Sequence, residues 1–68
     1  MGETKKNILL FIKGYIKKNE YPPTFEEIGE AVGLLSRSTV HAHMHGLKKK
    51  GYIGFIDGSP RTIRVLKK

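Results

Sequence analysis

GLLSRSTVHAHMHGLKKKG, residues 33–51, is the stretch whose reading decides the fold. On a helix at about 100° per residue, Val40, Met44 and Leu47 fall within roughly 60° of one another and form a narrow apolar stripe. Ser38, Ala42, His45 and Lys49 then point away from it, flanked by Arg37 and His41. A face that mixes small polar groups, imidazoles and a lysine can come close to base edges and phosphates. An amphipathic core helix with a solvated outer face fits the same residues equally well, so the flanking sequence has to decide between them.

Upstream, Gly33 stands where a helix needs a left-handed terminal residue, Leu34 and Leu35 are expected to fill a corner, and Ser36 to cap the next helix. The helix before Gly33 opens with Thr24-Phe25-Glu26-Glu27. This is a capping box, in which the Thr side chain accepts from the backbone N–H three residues on and Glu27 reaches back. Phe25, Ile28 and Val32, with Ala31 beside them, make its apolar face. Glu26, Glu27 and Glu30 are expected to face solvent or a lysine. Two short helices with a turn of about three residues make a helix-turn-helix. Further upstream, Ile8, Leu9, Phe11, Ile12, Tyr15 and Ile16 follow helical spacing over residues 4–19, with Thr4 as N-cap. Pro22 and Pro23 prevent that helix from continuing. Gly14 in its interior means either that a neighbouring backbone needs the room or that the helix is weak there.

Downstream, Lys48-Lys49-Lys50 suits the negative end of a helix dipole and Gly51 closes the helix. The period then changes. Residues 52–56 and 61–66 are β-branched and aromatic runs, separated by Asp57-Gly58-Ser59-Pro60, which is turn chemistry. A hairpin after a helix-turn-helix is a wing. Hairpins of this size are marginal alone, so Ile53, Ile63 and Val65 should pack on the helices. Arg61, beside the turn, is placed to reach a phosphate or the minor groove, whereas Arg64 and Lys67-Lys68 read as solubilising charge. The fold expected is mainly α with a small β-hairpin, a three-helix winged helix-turn-helix forming one domain over residues 1–68.

Charge supports a nucleic-acid partner. The net charge is +7; residues 1–30 set five lysines against five glutamates, whereas residues 31–68 set eight Lys/Arg against Asp57 alone. The whole excess therefore lies on the proposed reading helix and the segment after it. A lipid-binding helix would concentrate its cations opposite one strong apolar face, whereas here they are spread over several short elements. The apolar run at residues 8–12 is too short for a signal peptide or a membrane span, and the expected location is cytoplasmic. With no cysteine, neither disulfides nor thiolate metal sites arise.

The run YPPTFEEIGEAVGLLSRSTVHAHMHGLKKKGYI, with its hairpin, resembles the DNA-binding domain of the LexA family, the repressors of the bacterial SOS response. The pieces that carry the likeness are Tyr21-Pro22-Pro23-Thr24, residues 27–33, Ser38-Thr39-Val40-His41 and Lys50-Gly51. The resemblance implies a third helix in the DNA major groove, with base readers in its first two turns. By position these fall on Ser38, Thr39, His41 and Ala42, with Ser36 and Arg37 near phosphates. LexA proteins continue into a self-cleaving domain with a Ser/Lys pair that also holds the dimer. Nothing up to Lys68 supplies one, so the sequence is expected to be either an excised domain or a small stand-alone relative.

His41 and His45 share a face at helical spacing, but without a nearby Asp, Glu or Cys in sequence they make a weak metal pair, and His43 points elsewhere. They are expected to hydrogen-bond DNA, with His43 at the core edge. No metal or cofactor is expected. Ser36, Ser38 and Ser59 lack base partners and no glycine-rich phosphate loop occurs, so no enzyme is expected. The expected partner is double-stranded DNA, read through Ser36, Arg37, Ser38, Thr39, His41, Ala42, His45, Lys49 and Arg61. A homodimer on a palindromic operator is compatible with that partner. The rival readings are a winged-helix protein-interaction module using Phe55 and Ile56, and an RNA-binding winged helix.

Overall fold

In the computed structural model, which describes residues 2–67, α1 (Glu3–Asn19), α2 (Phe25–Val32) and α3 (Arg37–Lys49) precede a hairpin of β1 (Ile53–Gly54) and β2 (Arg64–Val65). The strands are antiparallel, with Ile53 opposite Val65 and Gly54 opposite Arg64. This is the three-helix, winged arrangement expected. Lys68, expected to be solubilising charge, lies outside the described residues.

α1 begins earlier than expected. Gly2, not Thr4, holds the N-cap position and makes no side-chain cap, so Thr4 sits inside the first turn. Glu3 there and Lys17 and Lys18 in the last turn complement the helix dipole. The helix stops at Glu20, which is left-handed at φ 65° and donates its N–H to Ile16 O at 2.8 Å. The expected capping box of α2 is present. Thr24 N–H donates to Glu27 Oε1 at 2.8 Å, and Glu27 N–H to Thr24 Oγ1 at 3.2 Å.

Gly33 (φ 78°) ends α2 as expected, and Leu34 N–H donates to Gly29 O at 2.8 Å. The corner then differs from expectation. Leu34 packs partly against the core, but Leu35 is wholly exposed, because the chain turns outward toward Ser36. Ala31 is also exposed, and the buried small residue of α2 is Gly29. A Cβ there would lie 3.0 Å from Val40 Cγ2 and 3.1 Å from Leu34 O, so the glycine lets α2 and α3 approach closely. Ser36 is the N-cap of α3 by position, without a side-chain hydrogen bond.

One core joins all elements: Ile8, Leu9 and Ile12 of α1, Ile28 of α2, Val40, Met44 and Leu47 of α3, and Ile53, Phe55 and Ile63 of the hairpin. The stripe read from residues 33–51 is thus the buried face of α3. The hairpin's ladder is shorter than its apolar runs suggested, because Phe55 turns into the core and Thr62 replaces strand pairing. Its Oγ1 accepts from Ile56 N–H at 2.9 Å and donates to Ser59 O at 3.0 Å. Among the described residues no helix is long and apolar enough to cross a membrane.

Two of the helix-interior glycines, Gly14 and Gly29, should respond oppositely to alanine. At Gly14 a Cβ meets nothing within 4 Å, so Gly14→Ala should gain about 0.5–1 kcal/mol of helix propensity and raise Tm by several degrees. Gly29→Ala should instead lower it, overpacking outweighing propensity at a net cost of about 1–3 kcal/mol. Thermal denaturation followed by circular dichroism checks both; a rise at both positions would contradict the close α2–α3 approach.

Candidate nucleic-acid interface

All nine side chains picked out from sequence are exposed: Ser36, Arg37, Ser38, Thr39, His41, Ala42, His45, Lys49 and Arg61. With Val40, Met44 and Leu47 committed to the core, helical geometry turns Arg37, Ser38, His41, Ala42, His45 and Lys49 outward within an arc of about 140°. Beside this face lies an open groove of about 440 Å³, with Phe25 and Glu26 of α2 and Arg37 and His41 of α3 on one side and residues 56–63 of the wing on the other.

The two imidazoles on that face are buttressed. His41 meets the Phe25 ring edge-on at 4.8 Å between centroids, and His45 meets Phe55 in the same way at 5.2 Å. Phe25 and Phe55 touch at 5.1 Å, and the two imidazoles stack at 6.1 Å, so the four rings close a cycle joining α2, α3 and the wing. Such contacts restrict rotamers and orient the ring nitrogens. His45 Nε2 also stands 3.4 Å from Asp57 Oδ1 at the wing tip, an ion pair when the imidazole is protonated. Asp57 is twelve positions further along the chain, so local spacing does not reveal this partner. Among the described residues no group of three or more His, Asp or Glu side chains could hold a metal ion. His43 is half-buried as expected, its Nδ1 accepting from Lys5 Nζ at 3.1 Å.

The cations divide into two groups. Arg37 reaches Glu26 Oε1 at 2.9 Å, but both side chains remain largely exposed, so the guanidinium stays available to a stronger anion. Lys49 and Lys50 are exposed, whereas Lys48 donates to Phe55 O at 3.0 Å and lies over the Phe55 ring. Arg61, expected at a phosphate or in the minor groove, is engaged within the fold, with its side chain partly exposed. Its two terminal nitrogens donate to Glu27 Oε1 and Oε2 at 3.1 and 3.2 Å, and Nη1 also reaches Pro22 O at 3.0 Å. The guanidinium further covers the Tyr21 ring at 4.8 Å. Arg61 adopts the left-handed φ of 58°, a conformation costly for a side chain other than glycine's and tolerated where surrounding contacts fix it.

Glu27 is therefore the meeting point of three elements: it caps α2, accepts from Tyr15 Oη of α1 at 3.2 Å, and holds the wing through Arg61. The Thr24 backbone N–H, followed by the Arg61 guanidinium and the Tyr15 hydroxyl, holds its carboxyl below the ordinary value. Sequence reading finds the capping box because its partners lie three residues apart. It misses the tie to Arg61, which spans a separation of 34 residues.

A family model described as the LexA DNA binding domain matches residues 1–62. The LexA repressor of Shouchella clausii is 52% identical over 66 residues, covering 97% of this chain and 32% of that protein. The LexA repressors of Geobacillus thermodenitrificans and Desulfitobacterium hafniense are 48% and 44% identical over the same shares. The chain thus spans less than a third of the length of the curated relatives it matches.

The Glu27 contacts set a direction for acid stability. A carboxyl lowered in the folded state contributes stability above its unfolded value of about 4.3 and loses it as pH falls through the folded value. Tm should therefore fall on acidification through this range, and less steeply in Glu27→Gln. Arg61→Ala should lower Tm at neutral pH, and the double variant should lower it by less than the two single effects summed. Additive losses, or identical acid profiles in wild type and Glu27→Gln, would show that the clamp carries no stability.

Proposed function

The chain belongs to the LexA DNA-binding domain family, and on that premise we propose that it binds duplex DNA sequence-specifically as the operator-reading part of a transcriptional repressor of the SOS-response type. The observation that carries the proposal is the outward face of α3, rich in short polar groups, imidazoles and cations, left uncovered beside a groove that the wing completes. α3 enters the major groove with its N-terminal turns foremost. Ser38 and Thr39 offer hydroxyls that donate or accept, His41 and His45 offer oriented ring nitrogens, and Ala42 leaves room for close approach or meets a thymine methyl. Ser36 and the first amides of α3 meet a phosphate at the positive end of the helix, with Arg37 and Lys49 on flanking phosphates.

The protein-interaction rival depended on Phe55 and Ile56 presenting an apolar wing. Phe55 is buried against Phe25 and His45, leaving only Ile56 of that pair exposed. A module of this size covers one half-site, so tight binding calls for two copies on two-fold-related half-sites. A DNA partner also places the working protein in the cytoplasm.

Anisotropy titrations of labelled duplex at increasing salt test the reading. Neutralising about five phosphates gives a log–log slope of roughly −4 to −5. Ser38→Ala combined with His41→Ala should erase discrimination between a selected duplex and a random one while leaving non-specific affinity in place. Arg37→Ala should weaken both duplexes about equally and make the slope shallower by about one. Absence of binding at low salt, or preference for single strands or A-form RNA over the duplex, would contradict the proposal.

A further inference from the structure

We propose that Leu35 determines sequence specificity by packing against the C5-methyl group of a thymine in the major groove, an inference that rests on the DNA-binding reading and adds an apolar contact to its polar ones. Five large apolar side chains are exposed among the described residues, Leu10, Tyr21, Leu35, Ile56 and Leu66, and Leu35 is the most exposed of them at 103%. The turn conformation separates the two adjacent leucines. After the left-handed Gly33, Leu34 N–H closes onto Gly29 O at 2.8 Å and its side chain packs against the core, while Leu35 is directed outward. Folding therefore gains nothing from the Leu35 side chain.

Its position gives it a different use. Leu35 immediately precedes Ser36, the N-cap of α3, and is followed by the exposed Arg37, Ser38 and Thr39. It thus stands at the end of the reading helix that goes deepest into a major groove. A leucine has no hydrogen-bonding group to offer a phosphate or a polar base edge. The one methyl group that the major groove displays is that of thymine. Removing both apolar surfaces from water favours the T-containing site over the same site with any other base.

The test uses a duplex selected by this protein from a random pool, with each thymine in turn replaced by deoxyuridine, which removes the methyl and leaves pairing intact. At one or two positions the wild-type protein should bind the deoxyuridine duplex about three- to fivefold more weakly, the effect of exposing one methyl. Leu35→Ala should bind the parent duplex more weakly by a similar factor, be indifferent to deoxyuridine at those positions, and keep the wild-type Tm. Sensitivity that persists unchanged in Leu35→Ala would assign methyl recognition to Ala42 or Thr39 and overturn the inference. Undiminished affinity of Leu35→Ala for the parent duplex would overturn it too, leaving Leu35 for a protein partner. If the wild-type protein binds DNA but ignores every methyl, this inference alone fails; if it binds no duplex at low salt, the DNA-binding reading fails with it.

Discussion

One carboxylate sets the relation between the wing and the helices. Glu27 accepts from the backbone at the start of α2, from the Tyr15 hydroxyl of α1 and from both terminal nitrogens of Arg61 in the wing. A hairpin with only two paired residues on each strand has little order of its own. Its place beside α3 comes from Ile53, Phe55 and Ile63 in the core and from this tie at the far end of the loop. The pair is partly exposed, so water and salt weaken it; its force lies in the several hydrogen bonds that fix direction as well as distance. Because that tie holds the return of the loop, it also sets the width of the groove into which α3 looks.

A similar division governs the positive charge. The second part of the chain carries eight cations, but they do not all face outward to an anion. Lys48 is committed to the Phe55 carbonyl and ring, and Arg61 to Glu27. The cations on the proposed reading face are Arg37 and Lys49, of which only Arg37 has an acidic partner among the described residues, and an exposed one. Likewise the imidazoles of His41 and His45 are held against Phe25 and Phe55 instead of moving freely in solvent. Oriented imidazoles lose less conformational freedom on binding than mobile ones. The aromatic cycle thus links packing of the α2–α3–wing junction to the orientation of the two imidazoles proposed to read bases.

The features legible in the sequence are local. The Thr24–Glu27 box, the left-handed Gly33 and Gly51, and the stripe of Val40, Met44 and Leu47 all depend on partners within four residues, and each stands in the structure as expected. The features that escape a sequence reading depend on partners far away along the chain. Arg61 beside a turn gives no sign in sequence that Glu27 faces it. Phe55 looks like an exposed wing residue until Phe25 and His45 are found around it, and two adjacent leucines look alike until the turn sends one inward and one outward. Thr4 illustrates a smaller difference, in which helical hydrogen bonding from Gly2 overrides the preference of a threonine for the cap: Lys6 N–H donates to Gly2 O at 3.0 Å. The outward face of α3 is legible in outline because the buried stripe defines it by exclusion. The buttresses that orient it are not.

The claim at the centre is that DNA docks on the outward face of α3 and the inner edge of the wing. Amide chemical shifts of the isotope-labelled protein, followed as a selected duplex is added, locate the contact residue by residue. The largest changes should fall on residues 35–45 and 56–60, with the outer surface of α1 around Leu10 and Lys17 little affected. Largest changes on that α1 surface, with residues 35–45 unmoved, would contradict it.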